Sequence, residues 1–239
     1  MSPKEIAKYI DHTNVKAEAS SKDIEKLCQE AVKYGFHSVC VTPYRVKDAS
    51  RFLTKIHTPT GCNNKVEIIC VVGFPFGLTT TEEKIFESKT AVKDGATEID
   101  MIINIGAIKD HNWDHVENEI RQIAAEIKPL GLKVIMEIGF LTRAELIKAC
   151  KVAKNAGAKF VKTSTGHGPR KPTYADIRLM KKTVGKDIGV KASGGIHNFK
   201  TAKEMIEAGA NRIGTSSGLQ IIGLQKATKK KFTHGHGRE

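Results

Sequence analysis

Aromatic residues are scarce in this 239-residue chain, at 6% with a single Trp. No run interleaves aromatics with basic residues as a stacking surface for single-stranded nucleic acid would require. No apolar run approaches the roughly 18 residues needed to span a bilayer, and the opening Met1-Ser2-Pro3-Lys4-Glu5-Ile6 has no apolar secretion core. The expectation is a soluble, cytoplasmic protein with no membrane partner. The five cysteines (Cys28, Cys40, Cys62, Cys70 and Cys150) are odd in number and fall in no CxxC or Cys/His pattern. Neither a disulfide framework nor a metal site is indicated, and buried reduced thiols are expected.

Acidic residues are outnumbered, 26 against 39 Lys and Arg, for a formal charge of +13. Such an excess attracts nucleic acid, membranes and small phosphorylated substrates alike, so its sign alone does not choose among them. Most basic residues are scattered over helix-like segments, as on a solvated outer face. Only 226–239 concentrates them, and a frayed basic end is the preferred reading of that tail.

What the chain does have is a repeated phrase: a helical pattern, a glycine, then a short β-branched apolar run. It recurs at Gly35, Gly95, Gly131, Gly157, Gly185 and Gly209. Each glycine is expected in the left-handed conformation that ends a helix, and each run is too short for another helix. Strands are predicted at 9–13, 38–42, 67–73, 98–104, 133–138, 160–164, 189–193 and 212–215. Eight βα units of about 30 residues match a single (β/α)8 TIM barrel of the α/β class. A doubly wound open sheet is the alternative, but no Gly-x-Gly-x-x-Gly turn follows the first strand. With no Pro/Gly/Ser linker, the chain is expected to form one barrel over 1–225 and a mobile tail over 226–239.

Two strand-like runs carry a lysine where burial is expected: Phe160-Val161-Lys162-Thr163-Ser164-Thr165-Gly166 and Ile188-Gly189-Val190-Lys191-Ala192-Ser193-Gly194-Gly195. Alternate residues of a barrel strand point inward, so Lys162 shares its face with Phe160 and Ser164, and Lys191 with Ser193. Two ammonium groups roughly 5 Å apart repel by about 3 kcal/mol at an effective dielectric near 20, enough to depress one pKa by about 2 units. A neutral amine is what attack on a carbonyl needs. The competing reading has the lysines snorkel to solvent or pair with Asp100 or Glu137 as structural ions. Glu98 and Asp100 share the inward register of the fourth strand, where a carboxylate beside a lysine can relay protons through water. Gly194-Gly195 and Gly214-Thr215-Ser216-Ser217-Gly218 follow the seventh and eighth strands, where barrels bind phosphate.

Ile10-Asp11-His12-Thr13, Ser38-Val39-Cys40-Val41, Glu98-Ile99-Asp100-Met101, Lys162-Thr163-Ser164-Thr165-Gly166, Lys191-Ala192-Ser193-Gly194-Gly195 and Gly214-Thr215-Ser216-Ser217 together resemble the deoxyribose-phosphate aldolase family, nearly end to end. Lys162 in its Lys-Thr-Ser-Thr-Gly setting is the most specific element. The resemblance implies a class I aldolase with no metal and no cofactor. It would split 2-deoxy-D-ribose 5-phosphate reversibly into acetaldehyde and D-glyceraldehyde 3-phosphate. It further implies a Schiff base on Lys162, proton relay by Asp100, and a perturbing and assisting role for Lys191. Asp11, Thr13 and Cys40 would line the sugar-binding mouth. Thr165, Gly166, Gly194, Gly195, Gly214, Ser216 and Ser217 would hold the phosphate. The implied partners are a small phosphorylated sugar or aldehyde and further copies of the chain, as a homodimer or homotetramer.

The sequence also departs from the family pattern. The loop after Gly166 reads His167-Gly168-Pro169-Arg170-Lys171-Pro172-Thr173, where Arg170 and Lys171 either strengthen anion binding or yield to a loop reshaped by two prolines. The second strand runs into Thr42-Pro43-Tyr44, the fifth into Glu137-Ile138-Gly139, and no tyrosine follows Tyr174. Two other functions stay open at this point. One is a Schiff-base aldolase or transaldolase for a different phosphorylated sugar. The other is a silent barrel binding nucleic acid through its basic surface, which the scarcity of aromatics disfavours.

Overall fold

The computed structural model describes residues 1–56 and 66–224. Cys62 and the basic tail expected at 226–239 lie outside them. Eight parallel strands, β1 (Ile10–Asn14), β2 (Ser38–Val41), β3 (Glu67–Val72), β4 (Glu98–Ile102), β5 (Gly131–Ile135), β6 (Phe160–Lys162), β7 (Gly189–Ser193) and β8 (Arg212–Thr215), close into one barrel. Closure is made by β8 pairing β1, with Ile10 opposite Ile213 and Asp11 opposite Gly214. The α/β TIM barrel is therefore the fold. Among the described residues no helix is long and apolar enough to cross a membrane.

Side-chain alternation divides the barrel into two interiors. Outward residues such as Val39, Ile99, Met101, Val134, Val161, Val190 and Ile213 are buried against the surrounding helices in one large apolar cluster. A smaller cluster of Cys40, Ile69 and Val71 comes from β2 and β3, with Val15 and Phe74 packed against it. The remaining strands carry the charges described below. At the N-terminal end, Gly189 leaves no room for a Cβ beside the Phe160 ring, and Lys133 and Arg212 stack on that ring at 5.4 and 5.5 Å. The barrel is plugged there by an aromatic side chain and two cations.

Capping boxes fix where the loops end and the helices begin. Ser20 with Asp23, Thr80 with Glu83, Thr142 with Glu145 and Thr173 with Asp176 each exchange side-chain and backbone bonds across the first turn. Each cap contributes about 1 kcal/mol of helix stability. The four boxes follow the loops after β1, β3, β5 and β6, so the C-terminal rim is anchored on its helix side.

Five of the six punctuating glycines have positive φ, from 68° at Gly35 to 117° at Gly209. Gly131 does not: it is the first residue of β5. The helix Trp113–Glu126 has already turned by then, with Leu130 N–H bonded to Ile127 O at 2.9 Å, so no left-handed residue is needed. The fourth strand stops at Ile102, short of 104, because Asn104 caps the next helix by accepting Ala107 N–H at 3.0 Å.

The four described cysteines, Cys28, Cys40, Cys70 and Cys150, are free and buried. Burial pushes the Cys28 and Cys150 thiols up to about 12 and raises Cys40 and Cys70 as well. Since the thiolate is the nucleophile, these four are expected to resist iodoacetamide at about pH 8 until the protein unfolds. Peptide mass mapping with and without guanidinium checks this; prompt native labelling of Cys28 or Cys150 would contradict it.

Candidate active site

Six inward-facing ionisable residues meet inside the barrel. Asp100 of β4 accepts from Lys162 of β6 and from Lys191 of β7, both at 2.8 Å and both on Oδ2. Lys191 also pairs with Asp11 Oδ2 at 2.6 Å, and Ser38 donates to Asp11 Oδ1 at 2.8 Å. Lys133 of β5 reaches Asp100 Oδ1 at 3.6 Å and pairs closely with Glu98. All of this follows from side-chain period and register: Lys162 lies directly opposite Lys191, and Asp100 directly opposite Lys133. Three amino groups are thus set against the three carboxyl groups of Asp11, Glu98 and Asp100. Asp11, Asp100, Lys133 and Lys191 are fully buried, and Lys162, nearest the mouth, is 4% exposed.

The expected repulsion between the two lysines is replaced by a shared counter-charge. Burial alone would raise the Asp100 carboxyl, but Lys162, Lys191 and Lys133 outweigh it and hold the group far below the carboxylate range. Asp11 is lowered in the same way, burial being outweighed by Lys191 and Lys133. For Lys191 the expected depression is reversed, since Asp100 and Asp11 overcome burial and raise its pKa. Lys191 is therefore a fixed cation, and it holds Asp100 as a fixed anion.

Above the cluster opens a cavity of about 680 Å³, lined by residues of the loops after β1, β6, β7 and β8. Ser164 and Ser193 form its floor, each two residues above Lys162 or Lys191 on the same inward register. The Ser164 hydroxyl is buried and has no partner among the described residues. Of the residues expected at the mouth or phosphate site, Thr13, Thr165, Gly166, Gly194, Gly195, Gly214, Ser216 and Ser217 line this cavity. Asp11 and Cys40 do not. Asp11 lies deeper, in the ion cluster, and Cys40 belongs to the apolar inner patch of β2 and β3.

The rim presents donors suited to an anion. The N–H groups of Gly194, Gly195 and Ser216 make no hydrogen bond among the described residues. Both glycines have positive φ, 104° and 73°, a backbone path that residues with a Cβ rarely take. Thr215 Oγ1 donates to Ile196 O at 2.7 Å and ties the two late loops together. Lys171 lies over this turn, so close that a Cβ on Gly195 would come within 2.5 Å of its Cδ. Lys171 makes no ion pair among the described residues. His197 Nδ1 is 3.0 Å from Ser217 Oγ, and burial and Lys171 lower its pKa.

Two expected anion donors are otherwise engaged. Arg170 is held by Asp176 through two bonds of 2.7 and 3.0 Å. Thr165 gives its N–H to Glu137 Oε2 at 3.0 Å and its hydroxyl to the same oxygen. Sequence reasoning missed Lys133 and Ser38 as members of the polar interior, and it offered Glu137 as a counter-ion for the lysines, whereas Glu137 accepts from Thr165 instead. The signal for Lys133 was present: with β5 beginning at Gly131, it becomes a third lysine mid-strand.

A (β/α)8 barrel with lysines and carboxylates fixed on its strands, beneath a donor-lined mouth at the C-terminal rim, has the layout of an enzyme of the barrel class. Residues 5–223 match the family described as DeoC/LacD family aldolase. The deoxyribose-phosphate aldolase of Thermococcus kodakarensis is 53% identical over 93% of this chain and 97% of its own length. An aldolase structure, QR15, superposes with a TM-score of 0.84 at 43% identity, covering 91% of this chain and 94% of that one. The tetrameric deoxyribose phosphate aldolase of Aeropyrum pernix superposes with a TM-score of 0.83 at 30% identity, covering 92% and 91%. The chain belongs to the DeoC/LacD family of aldolases, and it is a lyase.

Proposed function

We propose that this enzyme reversibly cleaves 2-deoxy-D-ribose 5-phosphate into acetaldehyde and D-glyceraldehyde 3-phosphate through a Schiff base on Lys162. The observation that carries the reading is the position of Lys162: it bonds Asp100, lies two residues below the cavity-lining Ser164 on the same register, and is the most exposed lysine of the cluster. The Lys162 amine adds to the C1 aldehyde of the open-chain sugar, and loss of water gives an iminium ion. The C3 hydroxyl then gives up its proton, the C2–C3 bond breaks, and its electron pair moves into the iminium to form an enamine. C3 leaves as the aldehyde of glyceraldehyde 3-phosphate. Protonation of the enamine carbon and hydrolysis release acetaldehyde and restore the amine.

Asp100, held as an anion by Lys191 and Lys133, is too weak a base to keep a proton. Its part is to pair with the cationic iminium and to orient the water that carries protons between substrate and solvent. Lys191 keeps that anion in place. The phosphate is received by the free N–H groups of Gly194, Gly195 and Ser216, by the Ser217 hydroxyl and by Lys171. The mouth contacts expected of Thr13, Gly166 and Gly214 belong to the same proposal. Borohydride trapping with the sugar phosphate or with acetaldehyde, followed by peptide mapping, tests the nucleophile. An adduct on Lys162, with glyceraldehyde 3-phosphate released in the untrapped reaction, is expected. Folded protein without that adduct would end the assignment.

Lys171 supports the phosphorylated substrate specifically. Lys171→Ala is expected to raise KM for the sugar phosphate roughly tenfold, the worth of one charge-assisted contact. KM for unphosphorylated 2-deoxyribose should not move. Initial-rate kinetics with the two sugars check this, and an unchanged KM for the phosphate would assign anion recognition to the backbone alone.

Assembly into a homodimer or homotetramer is part of the same proposal. The Aeropyrum pernix relative is described as tetrameric, and Tyr44, Leu78 and Phe86 stand 82%, 77% and 73% exposed. Covering these side chains with a partner subunit would remove their apolar surface from water. Light scattering after size exclusion gives the mass, and a monomer at micromolar concentration would refute this part.

A further inference from the structure

At the end of β5 the chain departs from the strand at one residue. Met136 N–H bonds Lys162 O at 2.8 Å and Ile138 N–H bonds Thr163 O at 3.0 Å, so β5 advances two residues while β6 advances one. Glu137 is the extra residue, at φ 36° and ψ 65°, a left-handed conformation disfavoured for a residue with a Cβ. An inserted residue of this kind at a barrel rim re-aims a side chain, and strain retained in a native structure marks a place where surroundings over-determine it.

The re-aimed side chain is buried, 1% exposed. Its Oε2 accepts both Thr165 donors, and Thr165 Oγ1 in turn accepts His167 N–H at 3.0 Å. Its Oε1 has no partner among the described residues. That oxygen lies under Gly168, where a Cβ would overlap it. Two residues on, a Cβ at Gly139 would come within 2.8 Å of Pro169 Cδ. The rim of β5 is thus pressed against the β6 loop at three successive points, Thr165, Gly168 and Pro169. That loop forms the cavity wall and ends in Lys171 over Gly195.

We infer that Glu137 is a positioning residue for the phosphate end of the substrate: it consumes both Thr165 donors, fixes the start of the β6 loop, and so sets Lys171 over the Gly194-Gly195 turn. The inference rests on the reading of the cavity as a phosphate site. Its consequence is a division of donors. Thr165 lines the cavity but has no hydrogen left to give, so the anion is confined to the late turns and to Lys171.

Glu137→Gln, Glu137→Ala and Gly168→Ala test this, with KM and kcat measured on 2-deoxyribose 5-phosphate and on 2-deoxyribose. The Gln variant keeps an oxygen for both Thr165 donors and should stay within about threefold of wild type. The two Ala variants should raise KM for the phosphorylated sugar by about tenfold or more, with kcat falling less than about threefold. Trapping of acetaldehyde on Lys162 should persist in both. A role in stability alone would lower Tm without separating the sugars; equal losses on both sugars, or a wild-type KM in folded Glu137→Ala, would overturn the inference. If Glu137→Ala is insoluble, Thr165→Val must show the same KM shift at smaller size, or the inference fails. Should wild type form no acetaldehyde adduct, the Schiff-base reading falls by itself. Calorimetry of inorganic phosphate binding to wild type and Gly168→Ala then still decides the role of the loop, with equal affinities counting against it.

Discussion

Lys162→Leu is expected to lower kcat/KM by about 10⁴-fold or more and to abolish borohydride-dependent labelling, while the protein stays folded. The size of the loss follows from the chemistry, because no other amine of the cluster can take over. Lys191 and Lys133 are fully buried, and Lys191 is held as a cation by Asp100 and Asp11. The fold survives because Asp100 retains Lys191 at 2.8 Å and Lys133 at 3.6 Å after Lys162 is gone, so no carboxylate is stranded. Leucine also fits a site that is 4% exposed. Steady-state rates, circular dichroism and peptide mapping together check the expectation. Residual labelling elsewhere on the folded variant would point to a different nucleophile.

Asp100→Asn is expected to damage both stability and rate. The substitution removes the anion to which Lys162, Lys191 and Lys133 are all directed, leaving three buried amines against Asp11 and Glu98. Breaking a buried pair by removing one partner costs about 3–5 kcal/mol, which in a domain of this size lowers Tm by roughly 10 °C. The rate should fall by about 10³-fold or more, because the iminium loses its counter-charge and the relay water its acceptor.

The same site sets the pH dependence of stability. Asp100 and Asp11 both lie below the 3.8 expected of a free carboxyl. Their contribution is therefore complete above the unfolded value and disappears as pH falls through the lower folded one. Lys191, raised above 10.5, acts in the opposite direction: its contribution is complete below the unfolded value and disappears as pH rises through the folded one. Urea midpoints followed down to about pH 3 should fall for wild type and less steeply for Asp100→Asn. Parallel slopes would show that Asp100 does not carry the linkage.

The periodicity of the chain made the barrel legible, because eight short apolar runs separated by helices have few other ways to bury both faces. Lys162, Lys191 and Asp100 were legible for a related reason: a charged residue in the middle of such a run is costly unless its neighbours answer it. What was not legible depended on contacts between strands. Asp11 falls below the mouth because barrel stagger sets how deep each inward residue lies, and that stagger is not written in β1. Thr165 reads as an anion donor until its two hydrogens are traced to Glu137, whose conformation no local propensity predicts. Arg170 reads likewise until the capping residue Asp176 takes it.

On the proposed reading the reacting amine stands on a strand, whereas the groups that receive the phosphate stand on the loops that leave the strands. Exchange of residues 167–173, or of the turns after β7 and β8, can therefore retarget the enzyme to another aldehyde without rebuilding its reaction centre. Natural diversification and laboratory selection should accordingly accumulate changes at the rim and few on β4, β6 and β7.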